Sequence, residues 1–287
     1  ISESLSEKDN KLLKNIAVTA MTGKGAEASK DLLADLTVKA VKEVLEKENG
    51  SLKVNPRDIK IEKKVGGSID DSELVNGIIL DKEKVHPSMP SKVEKARIAL
   101  INSSIEIKNT EIDAKISITD PEKMQQFLDM EENMLKEMVV KVTSSGANVL
   151  LCQKGIDDVA QHYLANKGVL AARRVKKSDM ERLSRATGAN IITNLDDLKK
   201  SDLGNAGLVE EKTVGDEEMI CVRKCKNPKA VTLLVRGGTA HVIDEVKRAL
   251  EDSIGDLSAA LINQKVVAGA GAPEMELARN LRHYANT

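Results

Sequence analysis

The sequence predicts an α/β protein in which a layered α/β segment interrupts a mainly helical one. Three observations carry this. Strand-like and helix-like stretches alternate between residues 67 and 236. The flanking stretches 8–48 and 239–263 repeat apolar residues at helical spacing. Two double glycines, Gly66-Gly67 and Gly237-Gly238, bracket the alternating part. Glycine pairs allow large φ/ψ changes, so both pairs read as hinges at the neck of an inserted segment.

Each element has its own signal. Residues 8–48 read as two helices, the second with an apolar stripe of Ala28, Leu32, Leu36, Ala40 and Val44. "NGSLKVNPRD" (49–58) is turn chemistry, and "IKIEKKVGGS" alternates as a strand. "NGIILDKEKV" and "KARIALINSSIEI" are strands, the second strongly apolar. A long helix follows, with Asp120 as candidate N-cap, Pro121 at its first position and Gly146 just past its end. "ANVLLCQK", "VLAARRV" and "ANIIT" are strands separated by the helices "IDDVAQHYLANKG" and "KKSDMERLSRATG". Residues 230–236 form a buried strand. The last long helix has Thr239 as cap and a seam of Val242, Val246, Leu250 and Leu257.

Composition narrows the function classes. The 287 residues suffice for two domains, and a net charge near −1 offers no basic face to nucleic acid or an anionic membrane. Aromatics are limited to Phe127, Tyr163 and Tyr284, so platforms for base stacking are missing. No apolar run approaches ~18 residues, so no membrane span is expected. No secretory signal is read, and both ends look cut from a longer chain. Three cysteines give no disulfide framework. Cys152 sits in an apolar run as a buried thiol, and Cys221 and Cys225 lack a nearby His or Cys to make a metal pair. No metal site is expected, and a reducing cytoplasm fits.

Chemistry is sparse. Gly23-Lys24-Gly25 precedes a helix start, where an ammonium and free N–H groups could meet a phosphate, but the P-loop pattern is not met. "VAGAGAPE" (267–274) is a small-residue turn that lets backbone approach a ligand. Glu251, Asp252 and Asp256 project from the last long helix, and a carboxylate there can orient a water for attack on phosphorus. For both the lysine and the carboxylates, an ordinary solvated surface is the competing explanation. His86, His162, His241 and His283 are scattered and build no triad or ligand set. Met124, Phe127, Leu128, Met130, Met134, Leu135 and Met138 give the long inner helix a methionine-rich surface, which suits either a helix-on-sheet core or adaptable binding.

Six long stretches carry a resemblance: "AMTGKGAEASKDLLADLTVKAV", "IKIEKKVGGSIDDSELVNGIILDKEKVHPSMP", "TEIDAKISITDPEKMQQFL", "SSGANVLLCQKGIDDVAQHYLA", "RRVKKSDMERLSRATGA" and "LLVRGGTAHVIDEVKRALEDSIGDL". Together they closely resemble the group II chaperonins over essentially the whole chain, with the archaeal subunits the nearest in look. The resemblance implies an intermediate domain (1–66 and 237–264) carrying an apical α/β domain (67–236). A helical protrusion at about 109–135 would form a built-in lid through Met124, Phe127, Leu128 and Met130. Residues 265–287 would begin an equatorial segment. The family's Gly-Asp-Gly-Thr-Thr phosphate loop has no counterpart in the sequence, so most of the equatorial domain is expected to lie outside this chain.

By the same resemblance, Lys24 matches a nucleotide-sensing loop and Asp252 the aspartate that positions the hydrolytic water. Gly269 and Gly271 match the outer glycines of a nucleotide-contacting turn whose middle position is Ala270 here, a departure whose extra methyl would crowd the nucleotide contact. Client contacts fall on the loop Val85–Pro90, including Val85, His86 and Met89. They fall also on a helix at 156–166, with Asp158, Gln161, His162 and Ala165 as outward positions. The implied cofactor is ATP with Mg in the whole protein, with none expected on the fragment alone, which should not hydrolyse ATP by itself. The implied partners are unfolded clients and sibling subunits in a double ring. The alternative is a nucleotide-independent module that grips one folded partner.

Overall fold

The computed structural model describes residues 2–25, 27–48, 50–107, 121–214, 217–226 and 228–285. The chain opens with β1 (Glu3–Ser4), α1 (Asn10–Met21) and α2 (Lys30–Glu43). It continues through β2 (Glu46–Glu48), β3 (Ser51–Lys53), β4 (Ile59–Val65), β5 (Glu73–Val75), β6 (Gly77–Leu80) and β7 (Lys92–Ile101). Next come α3 (Pro121–Ser144), β8 (Val149–Cys152), α4 (Asp158–Asn166), β9 (Leu170–Ala172), α5 (Lys177–Thr187) and β10 (Ile191–Ile192). The last part holds β11 (Gly204–Val214), β12 (Glu217–Arg223), β13 (Val231–Gly237), α6 (Ala240–Asn263), β14 (Lys265–Val266) and α7 (Ala272–Ala285). The fold is mixed α/β, as the sequence predicts.

Two compact units divide the chain: Ile1–Leu74 with Leu233–Thr287, and Val75–Thr232. In the first, α1 and α2 pack on each other and on α6. Leu13, Ala17 and Met21 of α1 meet a buried set from α2 and the row Ile243, Val246, Leu250, Ile254 and Leu257 of α6. Thr239 caps α6 by accepting from Val242 N at 3.3 Å. Gln264 ends α6 in the left-handed region. β1 pairs with β14, joining the two ends of this unit.

Three sequence expectations shift here. The buried side of α2 is Leu33, Ala34, Thr37, Val38, Ala40 and Val41, followed by Val44, so Ala40 and Val44 of the expected stripe are buried while the packing on α1 and α6 takes Leu33 and Thr37 in place of Leu32 and Leu36. Leu32 and Leu36 are half-buried, and the side chain of Ala28 lies outside the described set. Val242 likewise stands at the edge of the α6 seam. Residues 46–53, expected as helix end and turn, form the hairpin β2–β3.

The second unit is built on a seven-stranded sheet of order β6-β12-β11-β7-β8-β9, with β10 beside β7. β7, β8 and β9 are parallel, and β11 and β12 form an antiparallel hairpin that inserts between β6 and β7. Strict alternation divides the strand residues between two cores. Ile98, Leu100, Val149, Leu151 and Leu170 face Met180 and Leu183 of α5. Ala99, Ile101, Leu150, Cys152 and Ala171 face Leu135, Val139 and Val142 of α3 and Leu164 of α4. Both faces being covered explains why these strands read as continuous apolar runs.

The hairpin β11–β12 is the element that sequence reasoning passes over. Between its strands the sequence has Gly215-Asp216, a dipeptide that serves as a two-residue hairpin signal and lies outside the described residues. The expected N-cap Asp120 and residues 109–120 of the expected protrusion also lie outside them.

The three cysteines are buried. Burial pushes the Cys152 thiol up to about 11, and Cys225 likewise to about 11. A thiol is reactive as thiolate. Labelling of the native chain with a thiol reagent at pH 8 is therefore expected to be slow at every cysteine and fast after denaturation. Rapid native labelling of Cys152 would contradict its burial at the end of β8, in the core with α3 and α4.

Candidate functional site

In the first unit a short loop brings a cation to a carboxylate far along the chain. α1 ends at Met21, and Gly23 turns the backbone at φ 77°. Glu27 Oε2 accepts from Gly23 N at 2.9 Å, and Lys30 pairs with Glu27 at 2.5 Å, which braces the turn. Gly25 lies against α6: a Cβ there would stand 3.1 Å from Cβ of Glu245. The close approach that glycine allows lets Lys24 Nζ donate to Asp252 Oδ2 on α6. Glu251, beside it in sequence, instead pairs with Lys247 at 3.4 Å. The pair is open to solvent on one side, with the Asp252 side chain 59% exposed. It offers an ammonium able to meet an anion and a carboxylate able to orient a water.

The turn at Gly269 and Gly271 is exposed. Ala272 N donates to Gly269 O at 3.2 Å, and α7 begins there. Ala270 is held at φ 55°, a left-handed conformation that costs a non-glycine residue about 1 kcal/mol. α7 buries none of its residues, and Met275, Leu277 and Leu281 stand exposed.

At the bracketing glycines, Gly66 N donates to Gly237 O at 2.8 Å, forming an antiparallel bridge inside the first unit. Arg236 Nε donates to Gly66 O at 2.8 Å. Gly66 and Gly67 have φ of 100° and 85°. Gly237 is needed for space, since a Cβ would stand 2.8 Å from Ile243. Gly238 has open space around it.

In the second unit the loop 81–91 and α4 come together. His86 and His162 meet edge to face with centroids 5.8 Å apart. His86 Nδ1 accepts from Ser88 N at 3.1 Å, which assigns the remaining proton of the neutral ring to Nε2. Asp157 caps α4 by accepting from Val159 N at 2.9 Å. Tyr163 donates to Glu132 of α3, and Lys136 lies 5.2 Å over the Tyr163 ring.

Not every expected contact residue faces outward. Asp158 and His162 do. Gln161 is 4% exposed, with its amide donating to Ile156 O at 2.7 Å and Asp158 Oδ1 at 2.9 Å. Ala165 is buried against α3, and Met89 is 3% exposed in the same core. Helical period puts Gln161 and Ala165 on the inner stripe with Ala160 and Leu164, while Val159 takes an outward place. Val85 and His86 are half-exposed.

On α3 the apolar residues split. Leu135, Val139 and Val142 are buried, whereas Met124, Phe127, Leu128, Met130 and Met134 stand exposed. No group of three or more His, Cys, Asp or Glu side chains able to hold a metal occurs among the described residues. No helix among them is long and apolar enough to cross a membrane.

Sequence reasoning missed one buried ion pair. Glu211 of β11, its side chain 5% exposed, meets Lys84 Nζ at 2.7 Å. Burial alone would raise the Glu211 carboxyl. Hydrogen bonds and charge from Lys84, helped by Glu218, outweigh burial and hold it below its ordinary range. The partners are 127 residues apart, so nothing local marks them.

Comparison with known proteins fits this architecture. The chain is 60% identical over 286 residues to a thermosome subunit of Methanopyrus kandleri, covering 100% of this chain and 52% of that protein. It is 59% identical over 285 residues to the thermosome subunit beta of Archaeoglobus fulgidus, covering 99% of this chain and 52% of that one. The chain thus spans about half the length of the curated relatives it matches. A solved open-state monomer of a group II chaperonin from Methanococcoides burtonii superposes with a TM-score of 0.81 at 47% identity, covering 99% of this chain and 65% of that chain. The model of the TCP-1/cpn60 chaperonin family matches residues 1–287, and the chain belongs to that family as a relative of the archaeal thermosome subunits.

Proposed function

We propose that this chain is the client-handling and coupling part of an ATP-dependent protein-folding chaperonin. The unit Val75–Thr232 acts as the apical domain that binds unfolded protein and contributes to a built-in lid. The other unit acts as the intermediate domain. The observation that carries the reading is the exposed row Met124, Phe127, Leu128, Met130 and Met134 on α3. A contiguous apolar surface marks an interaction site, and methionine adapts to many partner shapes. The loop carrying Val85 and His86, with Asp158 and His162 of α4, extends the client face.

Coupling rests on Lys24 and Asp252. Their chemistry fits a nucleotide: the ammonium suits a terminal phosphate and the carboxylate suits a water. ATP with magnesium, when bound in the whole protein, supplies the phosphoryl group. The turn at Gly269 and Gly271 adds backbone approach. Gly66, Gly67, Gly237 and Gly238 serve as hinges of the backbone. Sibling subunits in a ring are the further partners, and a cytoplasmic setting suits the buried thiols.

The test is light scattering from an aggregating denatured client with this chain added, with and without ATP. Suppression of several unrelated clients, indifferent to ATP and without phosphate release, is the expected result. Suppression that depends on ATP, or phosphate release above background, would place the whole nucleotide site within this chain. Binding to one native partner alone would favour a dedicated module.

A further inference from the structure

The loop 81–91 has an unusual root. It leaves β6 and must cross two strands, because β12 and β11 lie between β6 and β7 in the sheet. Ile220 N of β12 donates to Lys82 O at 3.0 Å as the chain sets out. The next strand is met at Glu211, which touches both feet of the loop. Its carboxylate accepts from Lys84 N at 2.9 Å through Oε1, and from Lys84 Nζ at 2.7 Å through Oε2. Its own N–H donates to Ser91 O at 2.8 Å. Lys84 Nζ closes the ring by donating to Ser91 Oγ at 2.6 Å.

The crown of the loop is also tied. Val85 N donates to Ala171 O of β9 at 3.0 Å, and Met89 N to His86 O at 3.0 Å. Met89 anchors in the core, and His86 rests against His162. Pro87 and Pro90 further restrict the backbone. The loop therefore meets a ligand with most of its ordering already done, and preorganisation raises affinity without new contacts.

We propose that Glu211 is the positioning residue of the client-binding loop, clamping Lys84 and Ser91 so that Val85 and His86 are presented against α4. This deepens the client-binding reading of that face and rests on it. Glu211 itself is nearly buried and touches no client. Its carboxylate acts because it takes both Lys84 donors at once. Glutamine has the same shape, but it lacks the charge and turns an NH2 toward one of those two donors.

The experiment is hydrogen–deuterium exchange of the 287-residue chain, read over residues 84–91, for wild type, Glu211→Gln, Lys84→Met and the double variant. Exchange at Lys84, Val85 and Met89 is expected to rise roughly tenfold or more in each single variant. The double variant should add little to the singles, since the two side chains act as one unit. Amides of β8 and β9 should keep their wild-type rates. Affinity for a denatured client should fall about tenfold or more in the same variants. Glu94→Gln, which breaks an exposed ion pair with Lys92, should match wild type in both measurements.

Unchanged loop exchange in both single variants overturns the clamp. Faster loop exchange with undiminished client affinity overturns the positioning role. Faster exchange throughout β8 and β9 overturns it too, because Glu211 would then hold the sheet and not the loop. A wild-type chain that holds no client removes the client-binding reading, and the exchange rates still decide the clamp.

Discussion

Gly77→Ala is expected to destabilise the unit Val75–Thr232 by about 3–5 kcal/mol, among the larger effects a single methyl can have. Gly77 opens β6 at φ 147°, and it pairs with Arg223 of β12. A Cβ at this position would stand 1.9 Å from the carbonyl oxygen of Val222, a backbone atom fixed in the sheet. Relief requires parting β6 from β12, and β6 carries Ile78 and Leu80 into a fully buried core. Gly168, just past α4, makes a control. It also has a positive φ, of 68°, but open space around the missing Cβ. Gly168→Ala should therefore cost only about 1 kcal/mol of conformational strain. Urea denaturation followed by far-UV circular dichroism separates the two. Equal losses would mean that strain, and not the collision with Val222, sets the effect.

Leu128→Lys with Met130→Lys is expected to reduce suppression of client aggregation about tenfold or more while leaving stability within about 0.5 kcal/mol. The two side chains are 48% and 62% exposed, so little packing is lost when they change. Leu135→Ala, one to two turns further along the same helix, should do the opposite. Leu135 is 2% exposed in the core against the sheet, and truncation there should cost about 2–5 kcal/mol. Melting curves and light scattering on the same samples give both readouts. If the paired lysines leave suppression intact, α3 is not the client surface.

These contrasts show which parts of the molecule can be read from its sequence. The cap at Thr239 and the buried strands β7 and β8 follow from local patterns of residue type. Lys24 and Asp252 become a pair only through the family resemblance, since 228 residues separate them. The hairpin β11–β12 escaped because charged residues break up its apolar ones: Glu210, Glu211 and Lys212 follow Val209, and Glu217 and Glu218 precede the short run from Met219 to Val222. Gln161 and Ala165 were misread because α4 is short, and a short helix leaves its phase undecided until α3 is known to cover it. Glu211 looked like one carboxylate among many, and only the crossing of the loop over the sheet gives it a task.

The insertion has a consequence for how the chain comes to be folded. The helices α1 and α2 find their packing partner in α6, and between them in sequence lie roughly 160 residues of the other unit. During synthesis at about 5–20 residues per second, the inserted unit emerges entire while α1 and α2 still lack α6. Thr232 already ties its two ends together, accepting from Ile79 N at 3.2 Å and donating to Gly77 O at 3.0 Å. The unit that holds α1, α2 and α6 is thus completed only after the inserted one has been made, and closing so long a loop adds little entropy cost beyond a short one. Until α6 is made, α1 and α2 have only each other to pack on and lack the helix that completes their core.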